Sequence, residues 1–153
     1  MKKFEFTLQS VYEYKQTVER QRKADLRAAQ EALRLLMGQL RALELSFERN
    51  AESRRRLLEE ENGSSGIAAE LEKHDAFFRF LHGRKTELLA EIAAAEEERD
   101  RIMALVIEIM KEVKVYKKLR DEQFARYMDE LRKEEAKEIG DIVSFQTVTA
   151  ETV

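Results

Sequence analysis

Two histidines, His74 and His82, are the only imidazoles in this 153-residue chain. Glu70 stands four residues before His74, one helical turn away, so the two side chains share a helix face and could hold a surface metal ion. One such pair supplies only two ligands. The Glu-x-x-His spacing of di-iron helical bundles occurs at neither histidine. The plainer reading makes His74 a tolerated member of an apolar stripe and His82 a surface residue. No cysteine is present, which removes thiolate nucleophiles, thiolate metal sites and disulfides. The one glycine-rich stretch, Asn62-Gly63-Ser64-Ser65-Gly66, is followed by Ile67-Ala68 and not by the Lys-Ser or Lys-Thr of a phosphate-binding loop. Metal, cofactor, small-molecule substrate and catalytic residues are therefore not expected, and the chain does not read as an enzyme.

Charge and aromatic clusters are the next candidates. Arg54-Arg55-Arg56 precedes Glu59-Glu60-Glu61. Arg55–Glu59 and Arg56–Glu60 form i, i+4 pairs in the weaker orientation, with the acid C-terminal. This reads as a solvated helix end or as a partner contact. Lys111, Lys114, Lys117, Lys118 and Arg120 make a second basic run, diluted by Glu112, Asp121 and Glu122. The net charge is −3, and aromatic platforms for single strands are lacking around that run, so nucleic acid is not an expected partner. An acidic protein socket fits the basic run at least as well. Phe77, Phe78 and Phe80 cluster in the second half. Phe78 and Phe47 fall on the apolar stripes, whereas Phe77 lies beside its stripe and Phe80 largely off it. Exposed apolar clusters of that kind mark binding sites.

Those residues need elements to position them. The chain has no proline and five glycines, with 39% charged and 43% hydrophobic residues. Too few turn formers are present for a sandwich or barrel, and this composition is that of long solvated helices. Leu26, Ala29, Leu33, Leu36, Leu40, Leu43 and Phe47 recur in steps of three and four, the heptad seam of a coiled coil. The lattice continues through Asn50, Arg54 and Leu57. Upstream it takes in Phe4, Leu8, Val11, Lys15, Val18 and Arg22, with a stutter before Leu26. A second seam runs Ile67, Leu71, His74, Phe78, Leu81, Lys85, Leu88, Ile92, Ala95, Arg99, Ile102, Val106, Ile109, Val113, Tyr116.

The expected fold is all-α: a long antiparallel two-helix coiled-coil hairpin over residues 1–142. Helix 1 is expected at about 4–61, the turn at 62–66 and helix 2 at about 67–139. Gly140 is expected to end helix 2, leaving a flexible tail at 143–153. Centring the hairpin near Ser64 pairs residue i with roughly residue 128 − i, which leaves helix 2 without an internal partner from about residue 125. The longest apolar run, Ile102–Ile109, contains Glu108 and is too short to span a bilayer. The opening Met1-Lys2-Lys3-Phe4-Glu5 has no signal-peptide core, so a cytoplasmic location is the default. The chain is expected to be a monomer or to self-associate weakly.

The two ends carry a resemblance. Phe4-Glu-Phe6-Thr-Leu8-Gln9-Ser-Val11, followed by Lys15 and Glu19, resembles the opening of the flagellar export protein FliJ family. Tyr127-Met-Asp-Glu-Leu-Arg-Lys-Glu134-Glu135-Ala-Lys137-Glu138-Ile-Gly-Asp141 resembles its acidic, lysine-containing helix end, although Ala136 and Gly140 depart from the usual Gln and Asp. The resemblance implies an antiparallel coiled coil similar to the central stalk of F-type ATPases. It also implies a coupling role in the flagellar type III export apparatus, peripheral at the inner face of the cell membrane. The implied partners are the export ATPase (FliI), the export gate protein (FlhA) and export chaperones. The expected ATPase-facing residues are Leu8, Val11, Lys15, Val113, Tyr116 and Lys117. The expected gate-facing residues are Phe47, Phe77, Phe78 and Phe80. Of these only Phe78 matches the family's gate-contacting Phe by its distance from the turn, and it reads equally as a structural seam residue. The competing readings are a generic structural coiled-coil scaffold, the equivalent stalk of a virulence-type secretion system and a nucleic-acid-associated helical protein, the last weakened by the net charge of −3.

Overall fold

The computed structural model describes residues 2–60 and 66–152. It contains two helices, α1 (Gln9–Glu60) and α2 (Ile67–Glu151), of 52 and 85 residues, packed against each other. No strand occurs among the described residues. Without proline nothing removes an internal backbone bond, and runs of Leu, Ala, Glu, Lys and Arg favour the helix at every turn. Gly38 and Gly83 lie inside the helices with open space where a Cβ would project. They add only a propensity cost and no break.

The chain divides into two compact units, Met1–Gln21 with Ile107–Val153, and Arg22–Val106. In the 22–106 unit the helices run antiparallel, with Leu33 buried against Leu88 and Ile92 and Phe47 stacked on Phe78. Leu36, Leu40, Leu43 and Ala95 pack around that cluster. Every seam position expected from Leu26 to Leu57 and from Ile67 to Val106 is buried or half-buried. Apolar side chains at steps of three and four leave water together only if they face a second helix, and this sets which sides meet.

In the other unit the direction is again antiparallel, as Phe4 meets Phe124 and Lys15 meets Glu112. Ile109 is buried, and Val113 and Tyr116 are half-buried. Helix 1 does not begin at about residue 4. Residues 2–6 are non-helical, and the Gln9 amide donates to the Phe6 carbonyl at 3.1 Å. Phe6 and Tyr12 are the buried side chains here, edge to face with ring centroids 6.4 Å apart. Upstream of Gln9 the chain is not helical, so a lattice of three- and four-residue steps has no meaning there. Leu8, before the helix, and Val11, in its first turn, are both exposed.

The other end also differs from expectation. α2 does not stop at Gly140 but continues to Glu151, so residues 143–151 are helical. A single glycine costs only about 1 kcal/mol in a helix, which is no stop signal by itself. Thr147, Thr149 and Thr152 donate their hydroxyls to the carbonyls of Val143, Phe145 and Val148, one turn back. From Arg132 onward every described residue is exposed. The expected turn at 62–66 lies, Gly66 excepted, outside the described residues. At the start of α2 the Glu70 amide donates to the Gly66 carbonyl.

Candidate functional site

The 22–106 unit carries the aromatic set. Phe47 and Phe78 stack across the helices at 6.1 Å, and Lys85 Nζ lies 5.8 Å from the Phe47 ring centre. Both rings are half-buried seam members, so their first duty is packing. Phe77 and Phe80 are different. They stack on each other at 6.2 Å with planes 18° apart, yet are 42% and 66% exposed. The i, i+3 spacing places both rings on one outer face of α2. The four phenylalanines thus separate into a structural pair and a solvent-facing pair.

One turn from Phe47 and Phe78, polar groups replace the apolar seam. Asn50 is buried and donates through Nδ2 to the His74 carbonyl at 3.1 Å. Its Oδ1 lies 2.6 Å from His74 Nδ1. The amide oxygen can only accept, so Nδ1 carries the proton. Beside them Arg54 Nε donates to Asp75 at 3.2 Å. Asn50, Arg54 and His74 are weak seam positions in the sequence, which does not show that Asn50 meets His74 and Arg54 meets Asp75. Glu70, the suggested companion of His74, instead holds Lys73. Among the described residues no group of three His, Asp or Glu side chains could hold a metal ion. The Arg54–Arg56 run is also partly reassigned. Arg55 reaches Glu59 at 4.0 Å, but Arg56 pairs with Glu52 at 2.7 Å, the acid N-terminal to it. That is the orientation helices favour, and it leaves Glu60 aside.

The terminal unit carries the basic set. Lys15 Nζ donates to Glu112 at 2.7 Å across the helices. That hydrogen bond raises the Lys15 pKa above its ordinary value of 10.5, against the smaller opposing effect of partial burial. A raised lysine pKa means stability present below 10.5 and lost as pH rises through the higher folded value. Alkaline titration of the wild type should therefore show a loss of thermal stability above about pH 10.5 that a Lys15→Met variant lacks. Equal slopes for both proteins would show the pair to be energetically idle. Val113 and Tyr116 pack in the seam, while Leu8, Val11 and Lys117 are exposed. The expected ATPase-facing set is thus split between the packed interior and the surface. Lys117 lines an open groove with Lys111, Lys114, Val115, Lys118 and Asp121. Phe4, which sequence reasoning placed on the seam, lies edge-on to Phe124 at 5.1 Å and beside Tyr127 at 5.5 Å. Together with Phe6 on Tyr12, this makes the Phe-x-Phe opening an aromatic tether for the non-helical N-terminal segment.

No helix of the described residues is long and apolar enough to cross a membrane. Two long helices, a polar-interrupted seam and outward-facing aromatic and lysine clusters define a helical-hairpin protein whose distinctive side chains lie on outer faces. A family model described as Flagellar FliJ protein matches residues 4–151. The chain belongs to the FliJ family and is a flagellar, export-related component of the structural and coupling kind. No curated protein matches the sequence, and no solved structure does.

Proposed function

We infer that the chain is the stalk or coupling component of the flagellar type III export apparatus, joining the export ATPase ring to the export gate protein and working in the cytoplasm at the inner face of the membrane. The observation that carries this is the family match over residues 4–151. The placement of the exposed side chains supports a division of labour. Leu8, Val11 and Lys117, with the unburied lysines around Val115, form the surface offered to the ATPase ring. Phe77 and Phe80 form the surface offered to the gate. Lys15, Val113, Tyr116, Phe47 and Phe78 serve these surfaces by holding the helices beneath them. Export chaperones are further partners of this reading.

The test is retention of the purified flagellar export ATPase on the immobilised chain, with its rate of ATP hydrolysis followed in parallel. Binding and faster hydrolysis are expected. A Leu8→Glu/Val11→Glu variant touches only exposed positions, so it should remain folded while its ATPase affinity falls by about tenfold or more, as loss of an interface anchor does. Wild-type protein that neither binds nor stimulates the ATPase would favour a generic scaffold. Selective binding to the ATPase of a virulence-type system would favour that stalk instead.

A further inference from the structure

We propose that the Asn50–His74 layer is a register lock: it sets the axial alignment of α1 against α2 in the 22–106 unit and contributes alignment where the leucines around it contribute stability. The apolar seam by itself does not choose an alignment. In the observed pairing Leu33 lies with Leu88 and Ile92. A slip of one heptad, seven residues, preserves the inward faces of both helices. It brings Leu33 against Leu81 and Lys85 or against Ala95 and Arg99, and the long Lys and Arg stems can lie along an apolar neighbour.

The polar layer does discriminate. After a slip in either direction Asn50 would face Ile67 or Leu81, the residues seven before and seven after His74. His74 would face Leu43 or Leu57, the residues seven either side of Asn50. In both cases the buried Asn50 amide oxygen loses its imidazole donor and the half-buried imidazole N–H loses its acceptor, whereas the Asn50 N–H still meets a backbone carbonyl. Unsatisfied buried polar groups are costly, whereas the bonds they make in the correct state add little net stability. A single buried Asn on a coiled-coil seam therefore penalises wrong alignments more than it strengthens the right one. Here the layer is complete, since no buried side-chain polar atom among the described residues lacks a partner. Arg54–Asp75 beside it extends the same preference to the half-exposed edge. The alignment also decides which α1 residues border Phe77 and Phe80. That consequence rests on the gate reading above, whereas the lock itself does not.

The chain has no cysteine, so introduced thiols are the only ones labelled. Spin labels at Ala42→Cys and Ala90→Cys, both exposed and in this unit, report alignment by pulsed dipolar distance measurement with no partner present. A heptad slip moves one label past the other by roughly 10 Å along the axis. The unmodified layer should give one narrow distance. Asn50→Leu/His74→Leu should keep its helical content and its melting midpoint, or raise the midpoint, while the distance distribution splits or shifts by several ångströms. Asn50→Leu alone, which strands the His74 imidazole N–H, should lower the midpoint. A double-leucine variant with the single wild-type distance would overturn the lock. So would one that loses its folded structure, because the layer would then be a source of stability. Loss or retention of gate binding alters neither outcome.

Discussion

Leu88→Ala should cost the chain about 2–4 kcal/mol of stability, the largest effect of any single truncation along the seam. Leu88 is 1% exposed, the only large side chain among the described residues that is essentially fully buried. It sits in the Leu33–Ile92 cluster with Leu36, Leu40, Leu43 and Ala95 around it. Removing its isobutyl group forfeits the transfer of those atoms from water and leaves a cavity whose walls lose their contacts. Two helices have water on most sides and relax more easily than a multilayer core, which places the cost in the lower part of the usual leucine-to-alanine range. Leu35→Ala is the matched control. Leu35 is 53% exposed on the same stretch of the hairpin, and its truncation should stay within about 0.5 kcal/mol, as surface substitutions do. Urea unfolding checks both, with the midpoint falling for Leu88→Ala and the denaturant slope unchanged. Equal midpoints for the two variants would show that the Leu33–Leu88–Ile92 cluster is not where the stability lies.

The same residue shows how much of the fold could be read in advance. Leu88 belongs to a seam written in the local order of residues, and a heptad stripe constrains its own burial without reference to anything distant. From Leu26 to Leu57 and from Ile67 to Tyr116 the expected stripe and the buried side coincide. The stripe loses its meaning where the helix ends. Before Gln9 the chain is not helical and Phe6 turns inward in place of Leu8, while in the first turn of α1 Tyr12 and not Val11 is buried. Phe4, expected on the heptad lattice, lies in the non-helical residues 2–6. At the far end Gly140 suggested an end to the helix, yet one glycine carries only a modest propensity cost and no proline enforces a stop.

The polar layer was half legible. Asn50 and His74 were each visible as polar members of a seam. Their meeting depends on the alignment of two helices, which no local pattern encodes. The pairing 128 − i set Asn50 opposite Phe78, whereas the observed partner is His74, one turn away. An error of one turn is invisible to the leucines and decisive for an amide. Among the candidate site residues the same distinction applies. Exposure of Phe77 and Phe80 followed from their place off the stripe, while the Lys15–Glu112 bond again required the alignment.

Phe77→Ala/Phe80→Ala should abolish most of the affinity for the export gate domain while leaving the hairpin intact. The two rings stack on one another at 6.2 Å with planes 18° apart, so they hold each other in place before any partner arrives. Preorganised aromatic side chains lose little conformational freedom on binding, which is why such residues become the anchors of interfaces. Truncating two anchors removes about 2–4 kcal/mol of binding free energy, a weakening of roughly 30- to 1,000-fold. Their truncation should hardly move the melting midpoint, because rings that are 42% and 66% exposed leave no enclosed cavity behind. Phe47→Leu/Phe78→Leu is the informative contrast. It removes the inter-helix stack at 6.1 Å and should lower the midpoint. Salt separates the two proposed surfaces. Gate binding through apolar rings should change little with ionic strength, whereas ring binding through Lys117 and its neighbours should weaken as salt screens their charge. Titration of the gate domain by calorimetry, with circular dichroism of each variant alongside, decides the matter. A Phe77→Ala/Phe80→Ala protein that stays helical and binds the gate at wild-type strength would remove these two rings from the gate interface.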